Sequence, residues 1–173
     1  MDHVERRGTV QGRPGLPRLV SLSLVPREAA HGDTLAGVLE WRAATRLPPG
    51  SYRVAVRFDR PLPAGVPAGP AALSKLWRKL VEKRTHQRYR FRADHLPTDG
   101  AYGVDRWAPD EVVRDSFSVV VPADVAPGDY VVKVTMRRQP HYPNFRLLDM
   151  TSDDDVLSGI AMTRLRIAPA GGR

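Results

Sequence analysis

The sequence contains no cysteine in 173 residues. That excludes a disulfide-stapled scaffold and any thiolate metal site. No run of about 18 apolar residues occurs, so no segment reads as a membrane-crossing helix. With 14 glycines and 16 prolines and no period, the chain is neither collagen-like nor low-complexity. No apolar stretch follows Met1, so no secretory signal is expected. The chain is then expected to be cytoplasmic, or to be a segment cut from a longer protein. No repeat with a period of 20–50 residues is present. What remains is ordinary material for one domain: 42% apolar residues, with 27 Lys and Arg against 19 Asp and Glu, a net +8.

Most segments alternate polar and apolar residues with period 2, which marks strands buried on one face. Val20, Leu22 and Leu24 alternate with serines until Pro26. Leu35, Gly37, Leu39 and Trp41 share a face after the turn at Gly32-Asp33. The clearest alternation is Tyr52, Val54, Val56 and Phe58 against Ser51, Arg53, Ala55 and Arg57. Val113, Phe117, Val119 and Val121 follow, then Tyr130, Val132, Val134 and Met136 after the Pro127-Gly128 turn, and a less regular strand over 159–167. Strands with one apolar face need a second apolar face to cover them. The expected fold is an immunoglobulin-like antiparallel β-sandwich of about seven strands with one inserted amphipathic helix, Trp41 lying between the sheets. Residues 1–18 read as a flexible lead-in, 19–168 as one sandwich with a helical insertion at 59–87, and 169–173 as a tail.

The helix is expected from Pro70 to Arg84, since proline suits the first helical position. Leu73, Leu76, Trp77, Leu80 and Val81 follow helical spacing, and this stripe is expected to lie on the sandwich. Residues 75–92 carry eight cations (Lys75, Arg78, Lys79, Lys83, Arg84, Arg88, Arg90 and Arg92) against one acid, Glu82, which is +7 of the chain's net +8. The like-charge pairs Lys75/Lys79 and Lys79/Lys83 each weaken an isolated helix slightly. Local stability therefore does not explain the pattern. Either charge keeps a solvated face soluble, or Lys75, Arg78, Lys79, Arg88, Arg90 and Arg92 meet an anionic partner. Nucleic acid is disfavoured. Tyr89 and Phe91 interleave with the arginines but point to the opposite strand face, whereas a single-strand binder needs both on one surface.

No nucleophile, phosphate-loop or dinucleotide motif occurs, and the five histidines lack metal-ligand spacing. No catalytic residue, metal or cofactor is expected. Asp149 and Asp153 to Asp155 read as an acidic turn, with a cation site the alternative. Asp110, Glu111 and Asp115 can be read as the paired carboxylates of a glycosidase, but nothing marks one as the acid, and Asp110-Glu111 reads more as a turn leading into a strand. Tyr102, Trp107 and Tyr142 lie in Gly- or Pro-rich loops. They are candidate sugar-stacking aromatics, or staples closing the sandwich end.

Trp107-Ala-Pro-Asp-Glu111, Asp115, Pro122-Ala-Asp124 and Pro127-Gly128-Asp-Tyr130 form a pattern, joined upstream by Gly32-Asp33 and Leu39-Glu-Trp41. It resembles a bacterial β-sandwich domain found outside the membrane, commonly at the C-terminus of polytopic glycosyltransferase-like proteins. The likeness covers roughly residues 30–135. Asp110 stands where the family's pattern has Gly, and the helical insertion is larger than that family leads one to expect. The resemblance places catalysis in the membrane portion of such proteins, so it transfers no catalytic residue. It implies an accessory or ligand-binding module outside the cytoplasm. Tyr130 after Pro127-Gly128 is similar to a tyrosine corner, with its hydroxyl bonding back.

The leading expectation is a non-enzymatic binding module for a glycan or an anionic membrane surface. The alternatives are a protein-interaction domain using the helix stripe or an edge strand, and a carboxylate hydrolase.

Overall fold

The computed structural model describes residues 17–60, 71–139 and 161–169. Within these, alternation has become strands: β1 (Arg18–Val25), β2 (Glu28–Ala29), β3 (Thr34–Arg42), β4 (Ser51–Asp59), β5 (Arg90–Arg92), β6 (Val112–Val120), β7 (Gly128–Gln139) and β8 (Ala161–Ile167). One helix, α1 (Ala71–Thr85), lies between β4 and β5. The strands form two sheets, ordered β1-β3-β6 and β2-β8-β7-β4-β5. Among the described strands all pairings are antiparallel except the two-residue β2 on β8. Over the described residues the fold is a mostly β sandwich with one inserted α-helix.

Register decides which side chains meet in the core. Phe58 opposes Phe91 and Val132, and Val56 opposes Val134. The Phe58 and Phe91 rings stack with centroids 4.2 Å apart, and Tyr130 meets Phe91 edge-on at 5.7 Å. Offset and edge contacts of this kind add roughly 0.5–1.5 kcal/mol beyond area burial. In the smaller sheet Leu35, Leu39 and Trp41 are fully buried, and Gly37 opposes Phe117.

The Pro127-Gly128 turn enters β7 with Gly128 at φ +132°, a conformation open to glycine. Tyr130 is enclosed, and its hydroxyl donates to the Ala126 carbonyl at 2.5 Å. Burial raises the phenol above its ordinary value of 10, so it stays a protonated donor. Tyr130→Phe leaves that carbonyl unpaired and is expected to lower unfolding free energy by about 1 kcal/mol. Urea denaturation checks this, and a variant as stable as the parent would remove the corner's energetic role.

Candidate anion-binding surface

The helix docks in the opposite sense to the one its stripe implies. Arg78 Nη1 donates to the carbonyls of Tyr89 (3.1 Å) and Arg60 (3.5 Å). One turn on, Glu82 accepts from the Tyr89 backbone N–H at 3.0 Å. Arg78 and Glu82 stand four residues apart, so they share a face and fix it against the strand junction. Burial lowers the Arg78 pKa, with Arg90 adding repulsion. The far side then turns to solvent. Leu76 is 55% exposed, Trp77 38% and Leu80 49%. Lys79, Lys83 and Arg84 are exposed beside them. The side chain of Lys75 lies outside the described residues.

The arginines that follow are divided among different tasks. Arg88 precedes β5. Its backbone N–H bonds Asp124 O at 2.7 Å, and its Nε reaches Asp124 Oδ2 at 2.7 Å, with Nη2 on Oδ1. This two-pronged pair raises the Arg88 pKa and lowers that of Asp124, each chiefly through the shared hydrogen bond. Arg90 pairs with Asp59, which Lys133 also approaches at 3.7 Å. Arg92 is exposed with no acid paired to it among the described residues. Tyr89 and Phe91 are buried, as the strand alternation requires.

The loop aromatics are occupied too. Trp107 is fully buried, and its indole donates to Tyr102 O at 3.3 Å. It holds the staple position rather than a ligand-facing one. Tyr102 is partly buried, its hydroxyl shared between Arg106 O and Glu111 Oε2, each at 3.0 Å. Tyr142, Asp149 and Asp153 to Asp155 lie outside the described residues.

The three acids of the hydrolase reading separate. Glu111 caps its own turn through Ala108 N–H at 2.8 Å. Asp110 pairs with Arg42 at 3.0 Å and adopts φ +62°. That left-handed conformation suits glycine and tolerates aspartate, which accounts for Asp where the resembled pattern has Gly. Asp115 is 1% exposed and points into the core. It accepts from His95 Nε2 (2.9 Å), Thr98 N–H (2.8 Å) and the Trp41 indole (3.4 Å). The period-2 frame Val113, Asp115, Phe117 places it on the inner face, a signal that grouping it with Asp110 and Glu111 as a hydrolase carboxylate does not use. His95 had no such signal. Among the described residues no group of three or more His, Cys, Asp or Glu side chains can hold a metal. No described helix is long and apolar enough to cross a membrane.

No family model matches the chain, and no curated protein sequence does. Solved structures resemble it in fold. A Niemann-Pick type C2 protein from Japanese carpenter ant aligns with a TM-score of 0.51 at 7% identity, covering 96% of this chain and 100% of that one. The C-terminal domain of wzt gives 0.51 at 10% identity over 97% of this chain and 83% of that one. AvmM, which catalyses macrocyclization in alchivemycin A biosynthesis, gives 0.51 at 10% identity over 95% and 98%. At such identities the likeness establishes the β-sandwich and nothing about chemistry.

Proposed function

We propose that this chain is a non-enzymatic binding module that docks on an anionic lipid surface through α1. The observation that carries this reading is the outward stripe of Leu76, Trp77 and Leu80, bordered by exposed Lys79, Lys83 and Arg84. A helix with Leu and Trp on one side and cations beside them lies in the headgroup region of a bilayer. Each cation near an anionic leaflet contributes about 1 kcal/mol. The resemblance to an extracytoplasmic module of membrane proteins supports the same placement beside a bilayer, and Asp110 in a glycine-like conformation fits its pattern. A glycan reading through loop aromatics has less support, because Trp107 is enclosed and the Tyr102 hydroxyl is engaged. The fold does not choose, since one neighbour of similar fold is an enzyme.

The test is binding to phosphatidylglycerol-containing vesicles against phosphatidylcholine vesicles. Of the three tryptophans, Trp41 and Trp107 are fully buried, so a blue shift on binding reports Trp77. Lys79→Glu with Lys83→Glu and Arg84→Glu is expected to weaken binding by about 100-fold or more, since losing three cations at about 1 kcal/mol each already gives that factor before the added repulsion, while the circular dichroism spectrum is kept. Leu76→Asp with Leu80→Asp is expected to abolish the shift. A parent that ignores anionic vesicles, or variants that bind as the parent does, would overturn the reading. Stable self-association lost on Leu76→Asp would assign the stripe to a protein contact instead.

A further inference from the structure

The outer face of the larger sheet concentrates positive charge from three strands that are distant in sequence. On β4 the outward positions are Arg53, Ala55, Arg57 and Asp59, alternating with the buried set. Arg57 stands between two cations in register, Arg92 on β5 and Lys133 on β7. Arg53 faces Arg137 in the same way. Like charges directly opposite on a sheet repel. Asp59 answers Arg90 and Lys133 but no other described cation of this face. Arg53, Arg57, Arg92 and Arg137 have no ion pair among the described residues.

Two of these guanidiniums are also partly withdrawn from water. The Nε atoms of Arg57 and Arg137 are buried and make no hydrogen bond to any described residue. Burial lowers the Arg57 pKa, and Arg137, Arg92 and Arg90 lower it further, against Asp94 alone. Between the two arginines lies the Ala55/Thr135 pair, and Ala55 is 5% exposed despite its outward position. A small floor, two guanidiniums with unpartnered Nε atoms on neighbouring strands and repulsion from flanking cations make this face favourable to a charged acceptor. A guanidinium satisfies an oxyanion with two parallel N–H bonds, a geometry that ammonium does not offer.

We propose that Arg57 and Arg137, flanked by Arg53 and Arg92, form a binding site for a multiply charged oxyanion, a phosphoryl or sulfate group free or carried on a larger ligand. The site is separate from the outward face of α1 and does not rest on membrane docking. Bound oxyanion accepts hydrogen bonds from the guanidiniums and cancels the repulsion across β5, β4 and β7.

The experiment titrates pyrophosphate, inorganic sulfate and a heparin-derived tetrasaccharide into the full chain at constant ionic strength, read by thermal melting and calorimetry. A saturable rise in melting temperature is expected for at least one probe. The probe that binds tightest identifies phosphoryl, free sulfate or sulfated sugar as the source. Arg57→Gln is expected to melt no lower than the parent without anion, because a repelling charge is gone. It should bind the preferred probe about tenfold or more weakly. Arg137→Gln serves as the independent variant, and the Lys79/Lys83/Arg84 triple variant should respond as the parent does. No saturable response from the parent to any probe would overturn the proposal, as would Arg57→Gln and Arg137→Gln binding like the parent. A response lost only in the helix variant would move the anion to α1.

Discussion

Asp115→Leu is expected to cost about 3–5 kcal/mol of unfolding free energy, the usual penalty for removing one partner of a buried charged pair. Three donors lose their acceptor at once: His95 Nε2–H, the Thr98 N–H and the Trp41 indole. The chain here has been bent to reach the carboxylate. Thr98 and Asp99 both sit at φ +52°, a conformation that non-glycine residues hold only when surroundings enforce it. Without Asp115 that enforcement is lost, so the turn at Pro97–Gly100 is expected to loosen with the core. For a domain of this size the melting temperature should fall by roughly 10 °C. Urea and thermal unfolding measure it, and a loss below about 1 kcal/mol would mean the buried hub is replaceable.

The same hub carries a pH dependence of definite sign. Burial alone would lower the His95 pKa, but the hydrogen bond and charge of Asp115 outweigh it, helped by Ala93 O on Nδ1 and by Asp99. The net effect raises the pKa above the ordinary 6.5. The folded state therefore holds its proton to higher pH than the unfolded chain does. This contribution to stability is fully present below about pH 6.5 and is lost as pH rises through the folded-state value. His95→Phe is expected to remove that slope. A stability profile with the same slope in the variant would assign it to other groups.

Gly37→Ala is expected to cost about 3 kcal/mol, at the upper end of the range for forcing a group into a packed core. A Cβ on Gly37 falls 2.2 Å from Phe117 Cε1 and 2.3 Å from Cζ, well inside contact distance. The ring has little room to move. It is 8% exposed and stacks on the His95 imidazole at 5.7 Å. Gly37 is required here for the space its missing side chain leaves to its cross-strand partner, since its backbone is ordinary. Phe117→Leu opens that space, so the double variant should be more stable than the sum of the single losses predicts, by about 1 kcal/mol or more. Additive losses, or an alanine variant within 0.5 kcal/mol of the parent, would show that the ring yields.

How much of this was legible in the sequence differs by element. Tyr52 to Phe58 and Tyr130 to Met136 announced both their strands and their buried faces, because alternation is a property of one strand alone. Tyr130 after Pro127-Gly128 announced its corner, because the hydroxyl's acceptor, Ala126, is local. Asp115 was legible in position and not in role, since its three partners come from β3 and from the segment after β5. The stripe on α1 was legible as a stripe. Its direction was not, because amphipathy says which residues share a face and not which face is held. Arg78 and Glu82, reaching the carbonyl and N–H of Tyr89, settled that question. Charge misled in a similar way. The segment 75–92 holds nearly all the net charge, yet Arg88 and Arg90 are paired with Asp124 and Asp59, acids 36 and 31 residues away. Arg53, Arg57, Arg92 and Arg137 draw no notice as separate letters and become one patch only through the registers of β4 with β5 and β7.

By itself, then, the order of residues determined the two apolar sheets, the tight turns and the helix, since each follows from spacing within a few neighbours. Tertiary structure alone decided the hub at Asp115, the outward turn of Leu76, Trp77 and Leu80, and the arginine cluster. These depend on which strands lie side by side and in what register, which long-range burial selects and no local period encodes.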